Sequence, residues 1–447
     1  MISLSRALAR GRHTLGRFPR AIWARGLPRT VVALGFVSFL TDFSSEMIYP
    51  LLPVFLSSVL GAGAVTLGVI EGIAESTASL LKVVSGAWTD RTRRRKPFLV
   101  AGYGLAGAVR PLIGLATTWP FVLAMRFCDR VGKGVRSAPR DALIADVTGA
   151  EQRGAAYGLH RAMDHAGAVA GPLAAALLLT VLGLSMRAVF LLAAIPAAAV
   201  MVVLGFSVKE KRAPAAADAS AAHGATLEAA SAERESWRAR AARAGGRASG
   251  ARAALAEALG WTEFPPRLRL LLVAVFIFTL GNSTDAFLLL RMKDAGLSAA
   301  AIALLWSLHH VVKMLSTYYG GRWSDRAGRG ALLLLGWAFY AAIYLAFGWV
   351  HSRNLMIAIF LAYGLYFGLT EPAEKAWVAD LAPAHLRGRA FGAYHLVIGL
   401  GALPASLLFG LLWKAFGVAA AFTVGAAFAL LASLLLLARS RPRGTGP

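Results

Sequence analysis

Long apolar runs alternate with short polar stretches along the whole chain. A helix needs about 20 mostly apolar residues to cross a bilayer, and the runs reach that length. The first covers residues 31–59 and carries Asp42, Ser45 and Glu46 in its middle. The second, residues 65–88, carries Glu71, Glu75 and Lys82. Further runs lie at residues 98–117, 120–139, 155–182 and 187–206. After a polar interval the pattern resumes at residues 270–290, 299–319, 331–350, 355–370, 391–413 and 418–437. The prediction is an all-α membrane protein with twelve transmembrane helices, six on each side of the interval.

Charge then orients the spans. The chain has 447 residues and a net charge of +24, yet only 16% of it is charged and 57% is hydrophobic. Its basic residues cluster between apolar runs, at Arg91–Lys96, Arg153, Arg322–Arg329 and Arg387–Arg389, whereas the loops near Gly61, Thr118 and Leu184 have almost none. Cytoplasmic loops hold the excess of Lys and Arg, so both termini and the interval are expected to be cytoplasmic. The expected division is a tail at 1–30, a six-helix bundle at 31–207, a linker at 208–266, a second bundle at 267–438 and a tail at 439–447. The linker is Ala-rich and low in complexity, as flexible connectors are.

Some classes drop out. A nucleic-acid binder would spread its positive charge over polar surface, so no nucleic acid is expected. One cysteine, Cys128, excludes an intrachain disulfide and a multi-cysteine metal site. No phosphate-binding loop of the form G-x-x-x-x-G-K-[ST] occurs, so ATP drive is not supported and no enzyme activity is expected.

Residues 126–146 are unusual. This apolar region contains Arg126, Asp129, Arg130, Lys133, Arg136, Arg140 and Asp141. On a helix these charges fall within an arc of roughly 140°. Ionisable groups at membrane depth face a bundle interior or an aqueous cavity. Arg126, Arg130 and Lys133, with Asp129 as local partner, are candidate contacts for an anionic substrate, since the arginine fork fits a carboxylate or phosphate.

The two halves also repeat one another. GAWTDR from Gly86 matches GRWSDR from Gly321, and ALIADVTGAEQRGAAYG from Ala142 matches AWVADLAPAHLRGRAFG from Ala376. The second match sets Asp146 against Asp380, Asp141 against Lys375, Arg140 against Glu374 and Ser137 against Glu371. A shifted match sets Glu46 against Asp285. Repeats of this kind predict two similar bundles with a site between them near the bilayer midplane.

On these residues the chain resembles the major facilitator superfamily (MFS). Asp90 and Arg91 with the following arginines, and Asp325 and Arg326 with Gly328 and Arg329, are similar to the loop signature G-x-x-x-D-R-x-G-R-R/K. Arg126, Gly132 and Gly134 resemble the fourth-span pattern R-x-x-Q-G-x-G, although Asp129 replaces the amide and Arg130 the small residue. Gly158, Gly167, Gly171 and Pro172 resemble the fifth-span spacing of proton-coupled exporters, with Ala175 and Ala176 in place of its final glycines.

The resemblance implies alternating access in the cytoplasmic (inner) membrane by a monomeric secondary transporter. Proton coupling and export are the expected mode. A small organic anion is the expected solute, with a multidrug antiporter and a non-transporting receptor or assembly partner as alternatives. Protons and lipid are the other expected partners, and no cofactor is expected. Candidate proton or substrate residues are Asp42, Glu46, Glu71, Glu75, His160, Asp164, Asp285 and His310, besides the fourth-span charges. Candidate gate residues are Asp90, Arg91, Arg136, Arg140, Asp325, Arg326, Glu371 and Glu374.

Overall fold

The computed structural model describes residues 26–61, 64–92, 94–208, 261–297 and 299–440. Expectations about residues 1–25, 209–260 and 441–447 fall outside these, as do the side chains of Glu71 and Glu75.

The chain is all-helical. In the first half α1 is Arg29–Glu46, α2 Ala64–Thr92, α3 Lys96–Leu112, α4 Trp119–Val147 and α5 Arg153–Thr180. The sixth span is split into α6a, Met186–Leu192, and α6b, Ala194–Ser207. In the second half α7a is Pro266–Gly281, α7b Ala286–Asp294, α8 Ala299–Ala327, α9 Arg329–Trp349, α10 Arg353–Leu381, α11 Arg387–Phe416 and α12 Val418–Ser440. Proline opens several of these helices, at Pro97, Pro120 and Pro266, where its missing N–H costs nothing.

Several spans differ from the hydropathy pattern, and the first leaves the α-helix at Glu46. α4, α8 and α10 run past the predicted ends at residues 139, 319 and 370 to Val147, Ala327 and Leu381. Their extra turns are charged, and ion pairs to neighbouring helices hold Asp141, Asp146, Asp325, Glu371, Lys375 and Asp380. The seventh span is not one helix: α7a stops at Gly281 and α7b starts at Ala286. Gly-Asn-Ser-Thr between them favours turns over helix, and leucine on both sides hides the break from a hydropathy scan.

Burial is inverted relative to a water-soluble protein. Leu304, Phe206, Tyr319, Leu411 and Phe416 are exposed while Arg110, Asp129, Asp141 and Lys313 are buried. Apolar surface on this scale marks a lipid-facing wall. Among the described residues, eight segments are long and apolar enough to cross a membrane by composition alone. The second, fourth, seventh and eighth spans are not among them, and the fourth and eighth carry the charges discussed below.

Aromatic packing holds the broken seventh span. Phe278 stacks on Trp337 of α9 at 5.0 Å and meets Tyr340 edge-on at 4.9 Å. The Tyr340 hydroxyl donates to the Gly281 carbonyl at 3.0 Å, which caps an α7a backbone group that the break leaves without a helical partner.

Candidate functional site

Between the two halves, α2 packs on α11 and α5 on α8. These contacts are closest at the arginine-rich end. A side chain at Gly388 would fall 2.4 Å from the Gly86 carbonyl oxygen, and one at Gly154 would fall 2.3 Å from that of Gly321. Only glycine allows the backbones to touch there.

Carboxylates close the same end. Asp90 accepts from the N–H groups of Gly388 at 2.9 Å and Arg389 at 2.7 Å, in the first turn of α11. Its repeat counterpart Asp325 accepts from Gly154 at 2.8 Å and Ala155 at 2.7 Å, in the first turn of α5. Each half thus caps a helix of the other, where free N–H groups and the helix dipole favour negative charge. Arg95 pairs with Asp90 at 2.8 Å, and Arg329 pairs with Asp325. Asp146 binds Arg387 at 2.7 Å and Arg95 at 3.4 Å, while Asp380 binds Arg153 at 2.6 Å and Arg329 at 3.1 Å. Arg91 and Arg326, beside the signature aspartates, are exposed; Arg95 and Arg329 form the pairs instead.

Further in lies a second set of contacts between the halves. Asp141 of α4 is fully buried and meets Lys375 of α10 at 3.0 Å, His395 of α11 at 3.0 Å and Arg140 at 3.0 Å. Arg161 of α5 forks onto Glu371 of α10 at 2.7 and 2.5 Å and reaches Asp164 at 2.7 Å. Ser38 of α1 also donates to Asp164. His160 lies 3.8 Å from Asp164. The expected opposition of Arg140 and Glu374 is corrected here. Arg140 turns back to Asp141, and Glu374 accepts from Tyr394 at 2.8 Å. Arg136 lies over the Tyr103 ring of α3 at 4.3 Å, within its own half.

The fourth-span charges converge as the helical arc predicts. Asp129 is buried and receives Arg110 of α3 at 2.6 Å, Arg126 at 3.5 Å and Arg130 at 3.7 Å. Arg110 also donates to the Thr41 carbonyl of α1 at 3.0 Å, and Arg126 lies over the Tyr49 ring at 5.0 Å. Lys133 is half-buried, one turn along from Asp129. The half-buried Asp42 and Glu46 reach this region on α1, which passes close to α5. Side chains at Gly167 and Gly171 would fall 3.0 and 2.8 Å from the Cβ atoms of Asp42 and Glu46. The fifth-span glycines therefore have a packing role.

In the second half Asp285 sits in the break before α7b. It accepts from Tyr363 at 3.1 Å and pairs with Lys313 of α8 at 3.3 Å. A cavity of about 260 Å³ opens beside it, lined by Asn282, Thr284, Asp285, Tyr363, Phe367 and Ser406 among others. His310 contacts the Trp306 carbonyl at 3.0 Å, and its ring faces His165 of α5 at 5.9 Å.

The family model described as "Major Facilitator Superfamily" matches residues 34–290 and 270–447. The chain belongs to the major facilitator superfamily. It is 32% identical over 396 residues, 87% of this chain and 90% of that protein, to an uncharacterized MFS-type transporter of Methanocaldococcus jannaschii. An uncharacterized protein of Mycobacterium tuberculosis is 26% identical over 387 residues, 86% of this chain and 87% of that protein. The quinolone resistance protein NorA of Staphylococcus aureus is 23% identical over 110 residues, 25% of this chain and 28% of that protein. Among solved structures, the human organic anion transporter MFSD10 superposes with a TM-score of 0.73 at 17% identity, over 91% of this chain and 99% of that one. The proton:xylose symporter XylE gives 0.65 at 16% identity, over 92% and 95%. The MFS fold and a secondary-transport role follow, and the protein is not an enzyme.

Sequence reasoning passed over several groups of this MFS site. Arg110 and Lys313 each stand alone in an apolar run, and that isolation was the available signal. His395 carried no local signal, because the partner that buries it lies in the other half, whereas the repeat had already set Lys375 against Asp141, the residue it pairs with.

Proposed function

We propose that this transporter carries a small organic anion across the cytoplasmic membrane by proton-coupled alternating access. What supports the anion is the gathering of Arg110, Arg126 and Arg130 on Asp129 inside a membrane domain, where each ionised group is costly to keep. Glu46 and Asp285 are the proposed proton-carrying carboxylates. Substrate enters between the halves, and the capped, ion-paired end is the cytoplasmic gate in its closed state. The fifth-span resemblance favours export.

The test is solute flux in proteoliposomes with and without a pH gradient. Organic-anion flux that responds to the gradient is expected. Arg126→Ala is expected to weaken anion binding about 10- to 100-fold, since a charge-assisted hydrogen bond contributes roughly 1.5–3 kcal/mol. Undiminished anion flux in Arg126→Ala would remove Arg126 from the site. The multidrug reading is favoured by the quarter-length similarity to the quinolone resistance protein. Flux of lipophilic cations with no anion flux would decide for it.

Topology has its own test. In a Cys128→Ser background, Ala225→Cys is expected to react with an impermeant thiol reagent only after the cells are opened. Labelling from outside intact cells would put the linker on the other face.

A further inference from the structure

The second half holds a charge pair of which the proposed function uses only Asp285 and leaves Lys313 without a task. Lys313 lies in the apolar stretch of α8 and is 4% exposed. Its ammonium touches the Asp285 carboxylate at 3.3 Å and rests over the Phe367 ring at 3.7 Å, with the Trp306 ring at 5.4 Å. Asp285 is held by two described side chains, Lys313 and Tyr363. Its side chain is 23% exposed, and it also lines the cavity beside the helix break. The carboxylate is therefore reachable from the cavity, while the ammonium has aromatic faces to rest on if the carboxylate lets go.

We propose that Asp285 and Lys313 form an exchange pair, in which a proton taken up by Asp285 releases Lys313 to bind the carboxylate of an amphipathic monocarboxylate seated in this cavity. The proposal rests on the anion reading above and deepens it, because it ties anion and proton to one place. Charge accounting gives the coupling. With Asp285 ionised, the pair is neutral and Lys313 is occupied. With Asp285 protonated, the site carries one positive charge deep in the protein, which an anion cancels. A buried site is most stable at net zero, so it holds either the ion pair or a proton together with an anion. Proton and anion then travel in the same direction, so export through this pair is driven by the outward gradient of the anion itself.

Among the described residues, the neighbouring charges do not supply an alternative exchange. Arg161 and Glu371, which face Lys313 from α5 and α10, fork onto each other. His165 lies 3.6 Å from Glu371. His310 is held at the Trp306 carbonyl, and His309 stacks between Phe360 at 4.6 Å and Tyr363 at 5.5 Å. Among the described residues, Tyr363, which donates to Asp285, is the remaining titratable group in contact with the pair.

Benzoate is a suitable probe, with a ring for the Phe367 and Ala402 side of the cavity and a carboxylate for Lys313. Purified protein in weakly buffered detergent at neutral pH is mixed with benzoate while bound anion and proton uptake are read together. Wild type is expected to take up close to one proton per benzoate bound. Asp285→Asn, already neutral, is expected to bind benzoate with no proton uptake and little pH dependence. Lys313→Met is expected to lose binding by tenfold or more, with Lys313→Arg retaining part of it. The double variant Asp285→Asn/Lys313→Met removes both charges, so it guards against misfolding; it is expected to melt near wild type and to show neither signal. Benzoate binding with normal proton uptake in Lys313→Met, but lost in Arg126→Ala, would overturn the exchange pair and leave the anion reading standing on the first half. No benzoate binding by wild type would overturn both.

Discussion

Lys375→Ala is expected to open the arginine-rich end of the protein. The substitution leaves Asp141 fully buried, with Arg140 and His395 but without its partner from α10. Removing one member of a buried ion pair costs about 3–5 kcal/mol, and the low end applies because Arg140 remains. The pair joins the two halves only when this end is closed, so the cost falls on the closed state. A shift of about 3 kcal/mol changes the ratio of closed to open roughly 100-fold. Val83 reports the change, since it is buried on α2 beneath Gly392 of α11. In a Cys128→Ser/Val83→Cys background, thiol labelling is expected to accelerate strongly in Lys375→Ala and to stay slow in Lys375→Arg. Equal labelling in all three proteins would show that the pair does not hold the end shut. Exchanging the charges of Arg140 and Glu374 is expected to rescue nothing, because these side chains bind within their own halves.

Gly388→Val is expected to abolish transport while leaving the protein in the membrane. Its Cβ would lie 2.4 Å from the Gly86 carbonyl oxygen and 2.6 Å from the Asp90 carboxylate. The first obstacle is backbone, so the helices have to separate. Separation stretches the two hydrogen bonds from the start of α11 to Asp90, each charge-assisted and worth about 1.5–3 kcal/mol. Overpacking adds about 1–3 kcal/mol, so closing is penalised by several kcal/mol and the cycle stalls open at this end. Gly154→Val, at the repeat-related contact with Gly321, is expected to do the same. Gly205→Ala, where no atom lies within 4 Å of the added methyl, is expected to transport normally. Normal flux in Gly388→Val and Gly154→Val would mean that the close approach is not part of the cycle.

Much of the architecture was legible in the sequence because the bilayer imposes a local rule. A spanning helix satisfies its own backbone and needs about 20 apolar residues, so the order of spans could be read from hydropathy. The repeat reported the two-bundle arrangement, and it set Asp90 and Asp325 at equivalent places, where both cap a helix of the opposite half. The fourth-span charges were placed on one arc by helical geometry, and Arg126, Asp129 and Arg130 do meet. Partnership was another matter. Arg110 reaches Asp129 only because α3 packs on α4, and Lys375 reaches its own repeat counterpart Asp141 only because the two bundles face each other. The break at Asn282–Asp285 was hidden by leucine on either side, and it took the aromatic packing of α9 to hold it. Spacing along one helix determines which charges share a face. Which charge neutralises which is decided between helices, where burial makes an unpaired group costly.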